Sequence, residues 1–218
     1  MKKIMLAGLT AFSAITAMSA ITALSAITAA ASEIETVSCQ KQKEAPLIIL
    51  LSRTGNTAAV GEMIKQFTGG DIEALSLVEP YPENYQQTVQ QVREENESGF
   101  LPELVSLQHD PERYSDIFIG FPTWGMALPP PVKALLNSTE LRDKTVFPFN
   151  TNAGYGLGSS IDTFRELCVG CNVMSEFSAK GGIERDGVLL AIKGQREVEV
   201  RDEVQAWLES KYCAVGKN

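Results

Sequence analysis

The chain has 218 residues, of which 44% are hydrophobic and 21% charged, with 27 acidic against 19 basic side chains and a formal net charge of −8. That length suits one α/β domain with a full core and is short for two. The acidic balance argues against nucleic acid or anionic lipid as a partner.

Lys2-Lys3 precede an uncharged run from Ile4 to Ser32, in which Ser-Ala-Ile-Thr-Ala recurs at Ser13, Ser19 and Ser25. A basic start, an apolar stretch and Ala29-Ala30-Ala31 read as a secretory signal over 1–31 with an A-x-A cleavage site. The run is rich in Ala, Thr and Ser, which makes it a poor anchor, so no stable membrane insertion is expected after cleavage. The expectation is an exported protein, periplasmic or secreted, with a polar lead-in over 32–45 and one domain over 46–213. Of the four cysteines, Cys168 and Cys171 form a CxxC pair, while Cys39 and Cys213 lie near the ends. An exported chain permits disulfides. A lone CxxC with one histidine in the chain, His109, does not make a metal site.

Within the domain, the aliphatic run Leu47 to Leu51 predicts a strand buried on both faces. It breaks into Ser52-Arg53-Thr54-Gly55-Asn56-Thr57, and Val60, Met63, Ile64 and Phe67 then recur at helical spacing. A strand, a short hydroxyl-rich loop and a helix N-terminus form an anion cradle, because the helix dipole and orphan N–H groups favour negative charge there. The loop has no lysine and no GxGxxG, so it is neither of the common nucleotide loops. It suits one terminal phosphate monoester held by neutral donors.

Further strands are predicted over Ile72 to Val78, Asp116 to Phe121, Thr145 to Phe149 and Val173 to Ala179. The helices between and after them run from Thr57 to Thr68, Glu83 to Glu97, Pro129 to Leu136, Ile161 to Leu167 and Val198 to Tyr212. The second has only a thin apolar stripe of Tyr85, Val89 and Val92, so it is placed on the surface. Gly181 to Gly194 reads as an extra loop or short hairpin. Strands alternating with helices predict a doubly wound sheet of five parallel strands in the order 2-1-3-4-5, with helices on both faces.

In such a sheet the ligand lies beyond the carboxyl ends of the strands, where the strand order switches. Three unusual loops meet there. The first is the anion cradle. The second, Pro122-Thr123-Trp124-Gly125, sets a large aromatic at a strand end. The third, from Thr151 and Asn152 through Gly154-Tyr155-Gly156, combines flexible backbone with another ring. Trp124 and Tyr155 are candidate platforms for a flat ring.

The hexamer Ser52 to Thr57, the segment Gly120-Phe121-Pro122-Thr123-Trp124-Gly125 and the glycine-rich third loop resemble the flavodoxin family, and the resemblance runs from about Pro46 to Leu208. It implies flavin mononucleotide (FMN) as cofactor, bound through Ser52, Thr54, Gly55, Asn56, Thr57, Pro122, Thr123, Trp124 and the third loop. Arg53 either offsets phosphate charge or points outward. Gly125 stands where the family more usually has an aromatic, which leaves one ring face more open.

No catalytic triad, paired-carboxylate motif or metal cluster is visible, and no catalytic residue is assigned. Ser52 and Asp162 read as a phosphate ligand and a helix-start residue. The flavin carries the redox chemistry while the protein sets potential and access. The expected function is electron transfer to a redox partner protein outside the cytoplasm. Alternatives are an FMN-dependent reductase of quinones or other small acceptors, and a non-redox binding module. The topology puts Cys168 and Cys171 at the pole opposite the flavin, as a local structural disulfide, with a Cys39–Cys213 bond joining the two termini.

Overall fold

The computed structural model describes residues 44–214. The signal segment, and Cys39 with its expected bond to Cys213, lie outside those residues. Leu47–Leu50 (β1) is an interior strand, every residue of it buried. It pairs in parallel with Asp71–Ala74 (β2) on one side and Asp116–Pro122 (β3) on the other. Thr145–Asn152 (β4) continues the sheet in parallel beyond β3. The order is the expected 2-1-3-4-5.

Alternation along these strands feeds two cores. Leu47, Ile49, Ile117, Ile119 and Phe121 face one side, together with helix Pro130–Ser138 (α3) and helix Ser160–Leu167 (α4). Ile48, Phe118 and Phe147 face the other, under helix Asn56–Thr68 (α1) and helix Gln195–Trp207 (α5), which pack on each other. Phe118 stacks on Phe147 at 4.8 Å between ring centres, and Trp207 and Tyr212 pack edge-on or tilted against them. Val200, Val204 and Leu208 are all buried, as their spacing predicts. The last helix begins three residues earlier than expected and finishes in a π turn, Leu208–Tyr212.

The fifth strand is not continuous. Asn172–Val173 (β5) and Phe177–Lys180 (β6) both pair in parallel with β4. Val173 lies opposite Val146 and Phe177 opposite Phe149, so four steps on one strand face three on the other. That is a one-residue bulge. Its cause is Pro148. The carbonyls of Lys144 and Val146 both accept from this side, from Asn172 and Met174. By alternation the nitrogen of Pro148 faces it too and has no hydrogen to offer.

The connection from β2 to β3 also departs from expectation. Helix Tyr85–Ser98 (α2) forms where a surface helix is predicted, with Asn84 capping its N-terminus through Gln87 N–H. It does not carry the chain back down the sheet. Val78 N–H donates to Glu103 and Val105 N–H to Ser76, so both ends of α2 stay at the carboxyl edge. The descent is made by the segment after it. Gln108 and His109 N–H donate to the Glu73 carboxylate, and Tyr114 Oη donates to Asp71. The His109 ring lies with Nδ1 3.0 Å from Glu73.

Cys168 and Cys171 are disulfide-bonded, with 5.7 Å between their Cα atoms. Asn172 pairs with Thr145, the first residue of β4, so this bond sits at the amino edge of the sheet. Among the described residues no cysteine is free, and no helix is long and apolar enough to cross a membrane.

Candidate functional site

At the carboxyl edge of β1, β3 and β4 the three loops and α2 enclose a cavity of ≈610 Å³. A cavity of that size lies within the usual range for a cofactor or small ligand. Its floor is built by β1 and α1. Gly55 is the N-cap of α1 at φ 86°, a left-handed conformation that favours glycine, and it brings no side chain to cap the helix. The N–H groups of Asn56 and Thr57 therefore face outward without an intrahelical acceptor. Ser52, expected as a phosphate ligand, is outside the cavity lining, and its Oγ accepts from Ala58 N–H at 3.2 Å.

Hydroxyls complete the cradle. Thr57 Oγ1 and Thr151 Oγ1 are 2.8 Å apart in a buried pair. One hydroxyl donates to the other, so the pair keeps one hydrogen to offer. Thr54 Oγ1 accepts from Asn56 Nδ2 at 2.8 Å and keeps its own hydrogen. Thr54, Asn56, Thr57 and Thr151 all line the cavity. Neutral donors at a helix N-terminus match a phosphate monoester.

Two cradle residues do something their sequence context does not disclose. Arg53 Nε sits 2.8 Å from Glu184, and its other nitrogens donate to the carbonyls of Pro82 and Glu83. The guanidinium is consumed in tying the cradle to the N-terminal approach of α2 and to the short 3-10 turn Glu184–Asp186. Asn56 Oδ1 accepts from Ala191 and Ile192 N–H, and its Nδ2 also donates to Leu189. Its side chain staples the 181–194 loop to the cradle. That loop closes on itself through an antiparallel bridge between Ile183 and Val188.

The second loop supplies Pro122, Thr123, Trp124 and Gly125 to the cavity wall. Gly125 and Met126 have φ 58° and 60°, and Trp124 and Ala127 exchange backbone hydrogen bonds across them. Two successive left-handed residues make a type I′ turn, which Gly125 enters without a Cβ and Met126 holds with one. Trp124 is half-buried and rests edge-on against Tyr81, ring centres 5.4 Å apart. Tyr81 Oη donates to buried Glu95, and burial with that carboxylate drives the phenol far above its ordinary range.

In the third loop, Asn150, Thr151 and Asn152 belong to β4 rather than to a loop, because β6 pairs with them. Asn150 is fully buried and donates to Phe121 O and Thr123 Oγ1. Thr151, Asn152 and Ala153 line the cavity; Gly154, Tyr155 and Gly156 lie outside its lining. The N–H groups of Gly154 and Gly156, in the loop that the resemblance assigns to FMN, donate to Asn152 Oδ1 at 2.8 and 3.2 Å. Tyr155 is 66% exposed and faces Arg185.

The wall that sequence reasoning missed is α2. Tyr85, Thr88, Val89, Val92 and Asn96 face the cavity, at helical spacings of three and four. The thin stripe was visible; that it faces a cavity was not, because nothing local says where a weakly apolar helix lies.

The family described as Flavodoxin matches residues 45–191. No curated protein matches the chain in sequence. Among solved structures, a flavoprotein from Bacteroides uniformis is 20% identical with a TM-score of 0.61, over 77% of this chain and 99% of that one. One from Bacteroides eggerthii is 22% identical with a TM-score of 0.59, over 76% and 96%. A flavoprotein from Lactobacillus acidophilus, solved in complex with FMN, is 23% identical with a TM-score of 0.55, over 62% and 93%. At these identities the likeness establishes the shared fold. The match over 45–191 takes in well over half of the sequence, and on that ground the chain belongs to the flavodoxin family.

Proposed function

We propose that this chain binds FMN in the cavity and serves as a redox protein that carries electrons to a partner outside the cytoplasm. The observation that carries the cofactor assignment is the N-terminus of α1, whose N-cap Gly55 brings no side chain, ringed by hydroxyls and opening onto a wall that holds Trp124. Asn56 and Thr57 N–H, with the hydroxyls of Thr54, Thr57 and Thr151, would hold the phosphate. Trp124 and Pro122 would flank the ring. FMN supplies one- and two-electron transfer; the protein binds it, orients it and limits access to it. Membership of the flavodoxin family and the shared fold with an FMN-bound flavoprotein support the same assignment.

Export is supported by Lys2-Lys3, the long uncharged run and Ala29-Ala30-Ala31. The net charge suits a partner with a basic docking patch. A second reading, an FMN-dependent reductase of small acceptors, is favoured by one feature. The cavity runs on past Trp124 along α2, beyond what the phosphate cradle and ring wall account for.

FMN titration of the stripped protein tests the cofactor. Uptake at micromolar FMN with quenched flavin fluorescence is expected, and Trp124→Ala should weaken it about tenfold by loss of the ring contact. No uptake would refute the redox reading. Fractionation of cells with mass determination of the chain tests export, which predicts a mature N-terminus at Ser32.

A further inference from the structure

The far end of the cavity carries a cation that the phosphate cradle does not use. Lys133 lies in the first turns of α3, and its Nζ donates to Asn96 Oδ1 at 2.7 Å. Both residues line the cavity. Among the described residues no carboxylate lies within ion-pair distance of Lys133, in a chain with a net charge of −8. An ammonium has three donors, so one neutral partner leaves two unspent. Partial burial pulls the ammonium below its ordinary range, the cost of a charge set into a wall without a counter-ion.

This cation is out of reach of a phosphate in the cradle. Arg53 ties the cradle to Pro82 and Glu83, just before α2, whereas Asn96 lies near its other end. Tyr85 to Asn96 spans about 16 Å of helix axis at 1.5 Å per residue. Between the two ends Val89 and Val92 on α2 face Ala127 as an apolar stretch, and Arg93 and Glu97, which also line this end, pair with each other at 3.7 Å and leave Lys133 as the unpaired charge. An apolar slot ending in an unspent ammonium is built for a planar molecule with an anionic end.

We infer that the α2 side of the cavity is a subsite for a small flat aromatic acceptor carrying a carboxylate, with Lys133 as its anion contact. This rests on the cofactor assignment above and narrows the class of small acceptor. The ring of the acceptor lies along Val89 and Val92 of α2, beyond the wall that Trp124 gives the cofactor ring, and its carboxylate takes the two free donors of Lys133.

The test is calorimetric binding of para-nitrobenzoate and its neutral isostere para-nitrobenzamide to the FMN-loaded protein, without reductant. The anion should bind about tenfold more tightly than the amide, the margin of a hydrogen-bonded charge contact. Lys133→Met should bring the two within about twofold, and Lys133→Arg should keep most of the preference. FMN affinity should be the same in all three proteins, which also shows that the variants are folded. Equal binding of the two probes to the unaltered protein would overturn the subsite. So would a preference that survives Lys133→Met, or a loss of FMN affinity in that variant, which would make Lys133 a cofactor contact. Should the protein take up no FMN, the cofactor assignment falls, and the same probe ratio on the flavin-free chain then decides the subsite alone.

Discussion

Asn56 is the residue whose removal tests most of the site at once. It is 3% exposed and makes four side-chain hydrogen bonds, to Ala191 N–H (2.9 Å), Ile192 N–H (3.1 Å), Leu189 O (2.7 Å) and Thr54 Oγ1 (2.8 Å). Asn56→Ala leaves the Ile192 N–H, in a residue only 2% exposed, without a partner. One buried orphan costs about 1–3 kcal/mol. Ala191 and Leu189 are more exposed and can turn to water, adding about 0.5–1 kcal/mol each. The sum is about 3 kcal/mol, read as a shift in the urea midpoint at unchanged slope. Asn56→Asp separates the two roles of the residue. It keeps both acceptor bonds and loses both donor bonds, so its stability loss should be the smaller. It also sets a carboxylate beside the phosphate position, so its FMN affinity should fall by at least about tenfold. An alanine variant within about 0.5 kcal/mol of the unaltered protein and with full FMN affinity would refute the staple.

Gly120→Ala should destabilise by about 3 kcal/mol in the same denaturation assay, because a Cβ there would lie 2.1 Å from the ring of fully buried Phe149; an unchanged midpoint would mean that β4 can give way. Burial alone would raise the Glu73 carboxyl, but the N–H donors of Gln108 and His109 and the His109 ring outweigh it and hold it below the usual range. A depressed carboxyl adds stability that is complete above its unfolded value and drains as pH falls through the folded one. Stability should therefore fall more steeply between about pH 5 and pH 3 in the unaltered protein than in Glu73→Gln, and equal slopes would refute it. Replacing Cys168 and Cys171 by serine should cost about 2 kcal/mol through the short loop they close. Flavin affinity and reduction rate should stay unchanged, since the bond lies at the amino edge of the sheet. A large loss of either would place the disulfide in the electron path.

The sheet was legible because β1, β3 and the first half of β4 are apolar runs bounded by turn residues, the pattern of strands buried on both faces. The cradle was legible because helix starts are decided locally, by Gly55 and the hydroxyls around it. What escaped depends on pairing between distant residues. Pro148 sits in the middle of the predicted fourth strand, so its missing N–H was in plain view. Which neighbour it would fail, and that β5 and β6 would absorb the loss with a bulge, follows only from the ladder. Asn150 to Asn152 read as loop because asparagine is a poor strand former, yet pairing with β6 and the side-chain network around Asn150 hold them extended. Arg53 and Asn56 sit in the expected motif, but their partners lie some 30 and 130 residues away. No local pattern announces those.

The second crossover shows how such a departure shapes the site. A crossover has to return the chain to the amino edge and cover the sheet it passes over. Usually one helix does both. Here Leu104, Leu107 and Tyr114, on the segment after α2, pack against the core cluster that contains Leu47 and Ile49. The extended return thus takes over the covering. That releases α2 from needing a wide apolar face, and its composition agrees: YQQTVQQVREENES keeps a single buried apolar residue, Val92. Freed from the sheet, the helix is held at the carboxyl edge by Arg53 near its start, the Tyr81–Glu95 contact toward its end and Lys133 at Asn96. Each of these anchors either lines the cavity or backs Trp124 within it. The polar character that made α2 look like an idle surface helix is therefore the same property that lets it serve as a wall.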